Sequence, residues 1–161
     1  MFERFSREAK HVVLFALGAT QRLGAERVEP EHLLLALAEG STPASRAIAE
    51  AGLDVEAITA TIEADLVATL EVIGVPASVV DAVPAAPRVD RPDFGVHARR
   101  ALEQAWREVL RRKERRVGPE HLLLGVLDAP SPTLTRVLAR LDVEPARLAA
   151  LVDVEVAAAR R

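Results

Sequence analysis

One hexapeptide occurs twice in this 161-residue chain, and its recurrence limits the possible folds more than any other feature. Pro30-Glu31-His32-Leu33-Leu34-Leu35 returns 89 residues later as Pro119-Glu120-His121-Leu122-Leu123-Leu124. Phe5 and Ala9 fall on Phe94 and Ala98 at the same spacing. Further on, Arg46-Ala47-Ile48-Ala49 matches Arg136-Val137-Leu138-Ala139 at a spacing of 90, so one extra residue is expected in the second copy's loop between its second and third helices. A chain built from two copies of one segment folds as two like units that bury a face against each other.

The period inside each copy is helical. Ser6 can cap a first helix in which Ala9, Val12, Val13, Ala16, Ala19 and Leu23 recur at three- and four-residue steps until Gly24. Pro30 suits the first position of a second helix, because the N–H it lacks has no partner there, and that helix runs to Gly40. It is apolar on nearly every side, which predicts a buried central helix. A third helix follows Ser41 and Thr42 and ends near Gly52; Asp54 caps a fourth, through Ile58, Ile62, Leu66 and Leu70 to Gly74, with a further turn or two predicted over 76–83. The second copy repeats the first stripe as Ala98, Ala101, Leu102, Ala105 and Val109. Residues 84–92 hold three prolines and read as a stiff linker. The expected architecture is all-α: two tandem pseudo-symmetric four-helix repeats, 1–83 with a C-terminal extension and 93–161.

Composition removes several functions. Ala, Leu and Val dominate the apolar residues, aromatics are 3% of the chain and Tyr is absent, which favours closely packed helices over sheets. Without cysteine there are no disulfides, thiolate ligands or thiol nucleophiles, in keeping with a reducing compartment. The N-terminus lacks the apolar core of a signal peptide and no stretch is long enough to span a bilayer, so a cytoplasmic protein is expected. A net charge of -3 gives no general attraction to nucleic acid or anionic membrane.

Taken together, the opening Met1-Phe2-Glu3-Arg4-Phe5, the two Glu-His-Leu-Leu-Leu helices, Arg46 to Asp54 with Arg136 to Glu144, and Phe94 with Ala98-Arg99-Arg100 resemble the N-terminal domain of the Clp family of AAA+ protein unfoldases. The resemblance covers nearly the whole chain. It implies a non-catalytic module that receives substrates, adaptor proteins or small cyclic peptides, in bacteria. The Gly-x-x-x-x-Gly-Lys-Ser/Thr phosphate loop of the family's ATPase modules is absent, and the stretch from Ala64 to Val83 is longer than the family's usual first repeat. The ligand-binding residues the resemblance implies are Phe2, Phe5, Lys10, Phe94, Arg99 and Glu103 around a groove, with Glu31 and Glu120 as partners for the guanidinium of phosphoarginine. Where phosphoarginine-binding members carry Thr before each glutamate, this chain has Pro30 and Pro119, which supply neither hydroxyl nor N–H to a phosphate.

No other pattern carries chemistry. His32 and His121 lack a second ligand at i+4 and read as structural residues, so no metal and no cofactor are expected. The run Arg107, Arg111, Arg112, Lys113, Arg115 and Arg116 reads as a solvated helix end, with only Trp106 nearby to stack on a base, so nucleic acid is not an expected partner. No nucleophile and base share a recognisable spacing, and no catalytic residue is predicted. The function expected is protein or peptide binding, as an accessory or competitor for partners of the Clp protease machinery. The alternative is a sequestering protein for Clp-targeting cyclic peptides or other small molecules.

Overall fold

Helix starts fall where capping chemistry places them. In the computed structural model, which describes residues 2–80 and 93–161, a 3-10 turn at Phe2–Arg4 leads into α1 (Arg7–Arg22), β1 (Arg27–Val28), α2 (Pro30–Ala38), α3 (Pro43–Glu50), α4 (Val55–Val72) and the short α5 (Ala77–Val80). The second copy runs β2 (Asp93–Phe94), α6 (Val96–Arg111), α7 (Pro119–Asp128), α8 (Pro132–Arg140) and α9 (Pro145–Ala159). The expected linker at 84–92 lies outside the described residues. Ser6, Thr42, Asp54 and Ser131 each accept the backbone N–H three residues on, at 2.7–3.2 Å. Left-handed residues close α1 and α3 at Gly24 (φ 67°) and Gly52 (φ 82°); the second copy makes the same turns with Lys113 (φ 56°) and Asp142 (φ 54°), which lack glycine's freedom there.

The all-α tandem repeat is therefore observed, with one correction. Thr42 and Ser131, each an N-cap followed by proline, are 89 residues apart, while the caps that end α3 and α8, Ala51 and Leu141, are 90 apart. The extra residue lies inside α8, nine residues against eight, and not in the loop before it. Because the buried faces Ala44-Ala47-Ile48 and Leu134-Val137-Leu138 align at 90, the insertion is taken up in the first turn of α8.

The two copies are interleaved rather than set side by side. β1 pairs in parallel with β2, Val28 opposite Phe94, and Phe5 bridges in parallel to Val117. These pairings are one contact repeated by pseudo-twofold symmetry: Ser6 N–H donates to the Val117 carbonyl and Gly95 N–H to the Val28 carbonyl, both at 2.9 Å. The exchange continues outward, with α4 packing on α8 and α9 on α3. At the centre α2 meets α7, and every residue of α2 from Pro30 to Leu37 is buried. α7 approaches α6 so closely that a Cβ at Gly125 would overlap the Ala101 carbonyl oxygen and lie 2.7 Å from the Ala105 nitrogen. One continuous apolar core results, drawing on both copies.

Candidate functional site

The N-terminal junction of the two copies gathers three of the four phenylalanines. The Phe2 ring lies edge-on to Phe5 with centroids 5.1 Å apart, and 5.8 Å from Phe94. Phe5 is buried, whereas Phe2 and Phe94 are half-exposed at the rim. Beside them a cleft of about 420 Å³ opens between the N-terminal turn and α6, lined by Glu3, Arg4, Phe5, Leu102, Glu103, Trp106 and Arg107. Its floor is apolar and its rim carries two acids and two bases. The Arg4 guanidinium sits over the Trp106 ring, 4.8 Å from its centroid.

The expected groove residues thus occupy related places, but not all one place. Phe2 lies against both Phe5 and Phe94, and Glu103 lines the adjoining cleft. Arg99, one turn before Glu103 on α6, is exposed and paired with Asp93 at 3.2 Å. Lys10 is its equivalent in the first copy, exposed on α1. Sequence reasoning missed Trp106 and Arg4 as cleft residues. The available signal was helical register: Leu102, Glu103 and Trp106 share one face of α6.

The two glutamates of the repeated hexapeptide have diverged. Glu31 is 7% exposed and its Oε2 accepts the Ser131 hydroxyl at 2.5 Å; burial raises its pKa, against the lowering effect of that bond. Glu120 is only half-buried and opens onto a cavity of about 500 Å³ that also holds Glu8, Glu114, Arg115 and Arg116. Gly118 makes room for it, since a Cβ there would overlap Glu120 Oε1. In the first copy the position equivalent to Gly118 is Glu29, whose carboxylate crosses to the start of α6 and fills the space a Gly95 side chain would need. Burial raises the Glu29 pKa; His97 and the Ala98 backbone N–H act in the opposite sense.

Both hexapeptide histidines are structural. His32 Nδ1 accepts the Glu29 N–H at 2.9 Å and His121 Nδ1 accepts the Gly118 N–H at 3.0 Å, closing the first turns of α2 and α7. Burial lowers the His32 pKa to about 4 and also lowers that of His121, against the neighbouring Glu120 and Glu114. Among the described residues, Glu114, Glu120 and His121 bring metal-ligand atoms within 4.8 Å of one another. With Nδ1 accepting, Nε2 carries the proton and faces Glu114 Oε2 at 3.5 Å, so the imidazole offers that cluster no lone pair. In the basic run, Arg111 and Arg112 both bind Glu108, drawing its carboxyl to about 2, and Arg112 also reaches Asp153.

The family model described as the Clp repeat (R) N-terminal domain matches residues 4–91 and 93–160, one match for each copy. The chain belongs to the Clp N-terminal repeat family. The chloroplastic chaperone protein ClpC1 of Arabidopsis thaliana is 30% identical over 149 residues, which is 92% of this chain and 14% of that protein. A chloroplastic ClpA homolog of Brassica napus, named as an ATP-binding subunit of the ATP-dependent Clp protease, is also 30% identical, over 15% of its length. This Clp-N chain thus spans about a seventh of the curated relatives it matches. Among solved structures, the N-terminal domain of ClpD from Arabidopsis thaliana superposes with a TM-score of 0.72 over 97% of this chain and 96% of that one, at 22% identity. The Hsp104 N-terminal domain from Candida albicans gives 0.63 over 93% and 89%, at 15% identity. At these identities the likeness speaks for the fold. No helix among the described residues is long and apolar enough to cross a membrane.

Proposed function

We propose that this chain is a non-catalytic binding module that takes apolar peptide segments of client or adaptor proteins at the junction of its two copies, acting as an accessory or competitor for partners of Clp-type ATPases in the cytoplasm. The observation that carries this reading is the half-exposed Phe2–Phe94 pair, linked through Phe5 to an apolar cleft rimmed by Glu3, Arg4, Glu103 and Arg107. Such a surface buries apolar side chains while its charges fix orientation. Lys10 and Arg99, exposed on equivalent turns of α1 and α6, extend the polar rim.

Calorimetric titration with an apolar peptide and with purified Clp ATPase N-domain clients tests the proposal. Phe2→Ala and Phe94→Ala are expected to weaken binding by about tenfold or more, since each removes a large apolar anchor. Unchanged affinity in both would defeat it. A cleft of this volume also suits a small cyclic peptide, and stoichiometric binding of such a compound with no affinity for proteins would favour the sequestering role instead.

A specific asymmetry bears on phosphoarginine. The Glu31 carboxylate is occupied by Ser131, whereas Glu120 is open and flanked by Arg115 and Arg116, which could serve the phosphate in place of the groups lost to Pro119. Binding of free phosphoarginine is expected to vanish in Glu120→Ala and persist in Glu31→Ala. Loss in the second variant alone would reverse the assignment.

A further inference from the structure

α4 outruns the body on which it packs. Ile58, Ile62 and Asp65 are buried, but from Leu66 to Val79 no residue is. The uncovered stretch is nonetheless apolar: Leu66 is 49% exposed, Val72 87%, Ile73 71% and Val79 43%. Single exposed apolar residues are ordinary, while a cluster of large ones on one helix end marks a contact surface. Leu66, Leu70 and Ile73 follow the four-then-three spacing of one helix face.

The chain segment that carries this face has charge of one sign. Between Arg46 and Arg88 the chain has seven acids and no Lys, Arg or His. Glu63 and Glu71 are exposed within a turn of Leu66 and Leu70. Alongside runs a groove of about 460 Å³, with Ile62, Leu66 and Thr69 of α4 on one wall and Leu23 and Glu26 on the other. Arg27 and Arg136 also reach that groove, where they are outnumbered by Glu26, Glu29, Glu31 and Asp65, and Arg136 is held by two bonds to Asp65, at 2.8 and 2.9 Å. In the chain's own basic run, Arg111 and Arg112 are already held by Glu108 and Asp153.

We propose that the last two turns of α4 and the adjoining groove form a second docking face, separate from the aromatic junction, for a basic amphipathic helix of a partner protein. Its apolar residues at i, i+4 and i+7 lie on Leu66, Leu70 and Ile73, and its lysines or arginines face Glu63, Glu71 and Glu26. Charge complementarity selects this partner over an acidic or neutral helix and makes the association salt-sensitive.

Fluorescence anisotropy on the full chain, with a labelled Leu/Lys amphipathic helix as probe and its Leu/Glu counterpart as control, tests this. Saturable binding of the basic probe is expected, with none of the acidic one. The double variant Glu63→Lys/Glu71→Lys and the single variant Ile73→Asp should each weaken binding by about tenfold, while Glu144→Lys, a charge reversal on the other copy, leaves it intact. All four substitutions in these three variants are on exposed side chains, so the core is left intact. Absence of saturable binding, equal binding by the double variant, or concentration-dependent self-assembly of the chain that the same substitutions abolish would each overturn the proposal, the last in favour of a second copy as occupant. None of these outcomes bears on binding at Phe2 and Phe94.

Discussion

His32 and His121 show how much a single side chain does in this fold. Each sits at the third position of a central helix and turns Nδ1 back to the N–H that would otherwise be orphaned at the helix entry, a role that Gln or Glu plays in an ordinary capping box. Because both rings are buried and neutral, the folded state resists protonating them. A base whose folded pKa is depressed contributes stability that is complete above its unfolded value and lost as pH falls. For His32 the window runs from about 6.5 down to about 4, worth on the order of 3 kcal/mol when fully expressed. His121 acts in the same direction. Glu29 and Glu31, whose pKa values are raised by burial, oppose this trend: they are relieved of a penalty as pH falls toward the unfolded carboxylate range. The separation is therefore made by substitution. His32→Gln with His121→Gln keeps the capping bond and removes the titration, so the urea midpoint should fall less between pH 7 and pH 5 than in the parent chain. An unchanged pH slope would show that these rings are not the acid-sensitive groups.

At the scale of elements, the two long entry helices begin by different means. α1 is capped by its own Ser6, whose hydroxyl accepts the Ala9 N–H. α6 begins at Gly95, which has no side chain to offer, and Glu29 from the other copy brings a carboxylate to the Ala98 N–H in its stead. The opposite corner carries the reverse pair, Ser6 with Gly118. Glu29→Gly alone should cost about 1 kcal/mol as α6 loses its cap, and Gly95→Ser alone should destabilise because its side chain overlaps Glu29. Combined, they rebuild the Ser6–Gly118 corner, and the double variant should lie within about 0.5 kcal/mol of the parent in a chemical-denaturation cycle. Strict additivity would mean that the two sites do not share this role. Such a cap could not be found from sequence, since Gly95 before a helical stripe looks like a weak start and nothing local points to a residue 66 positions earlier. The starts at Ser6, Thr42 and Asp54 are legible because their chemistry lies within three residues. The candidate site divides the same way: Phe5 and Phe94 follow from the repeat and Phe2 from the family resemblance, whereas the closure of Glu31 by Ser131 needs a contact 100 residues apart.

For the whole molecule, the repeat announces two copies but not how they share a core. Apolar stripes say which face of a helix must be buried and are silent about the partner, and two copies with the same stripes fit each other's helices as well as their own. Here they exchange. α3 completes its packing on α9, α4 on α8, β1 on β2, and Phe5 reaches across to Val117. Cross-copy ion pairs follow the same route, with Asp65 of α4 bound twice by Arg136 of α8 and Arg46 of α3 bound to Glu155 of α9 at 2.8 Å. A half chain would therefore leave the faces of its third and fourth helices bare, together with most of α2 or α7, and a unit of that size has little surplus apolar burial to lose. Segments 1–83 and 93–161, prepared separately, should show weak helicity and no cooperative melt. Mixed at equal concentration they should regain helicity with a midpoint that rises with concentration, since folding then includes association. A sharp, concentration-independent melt by either segment alone would mean that each copy owns a complete core, and with it the aromatic junction would cease to be a place where neither copy suffices.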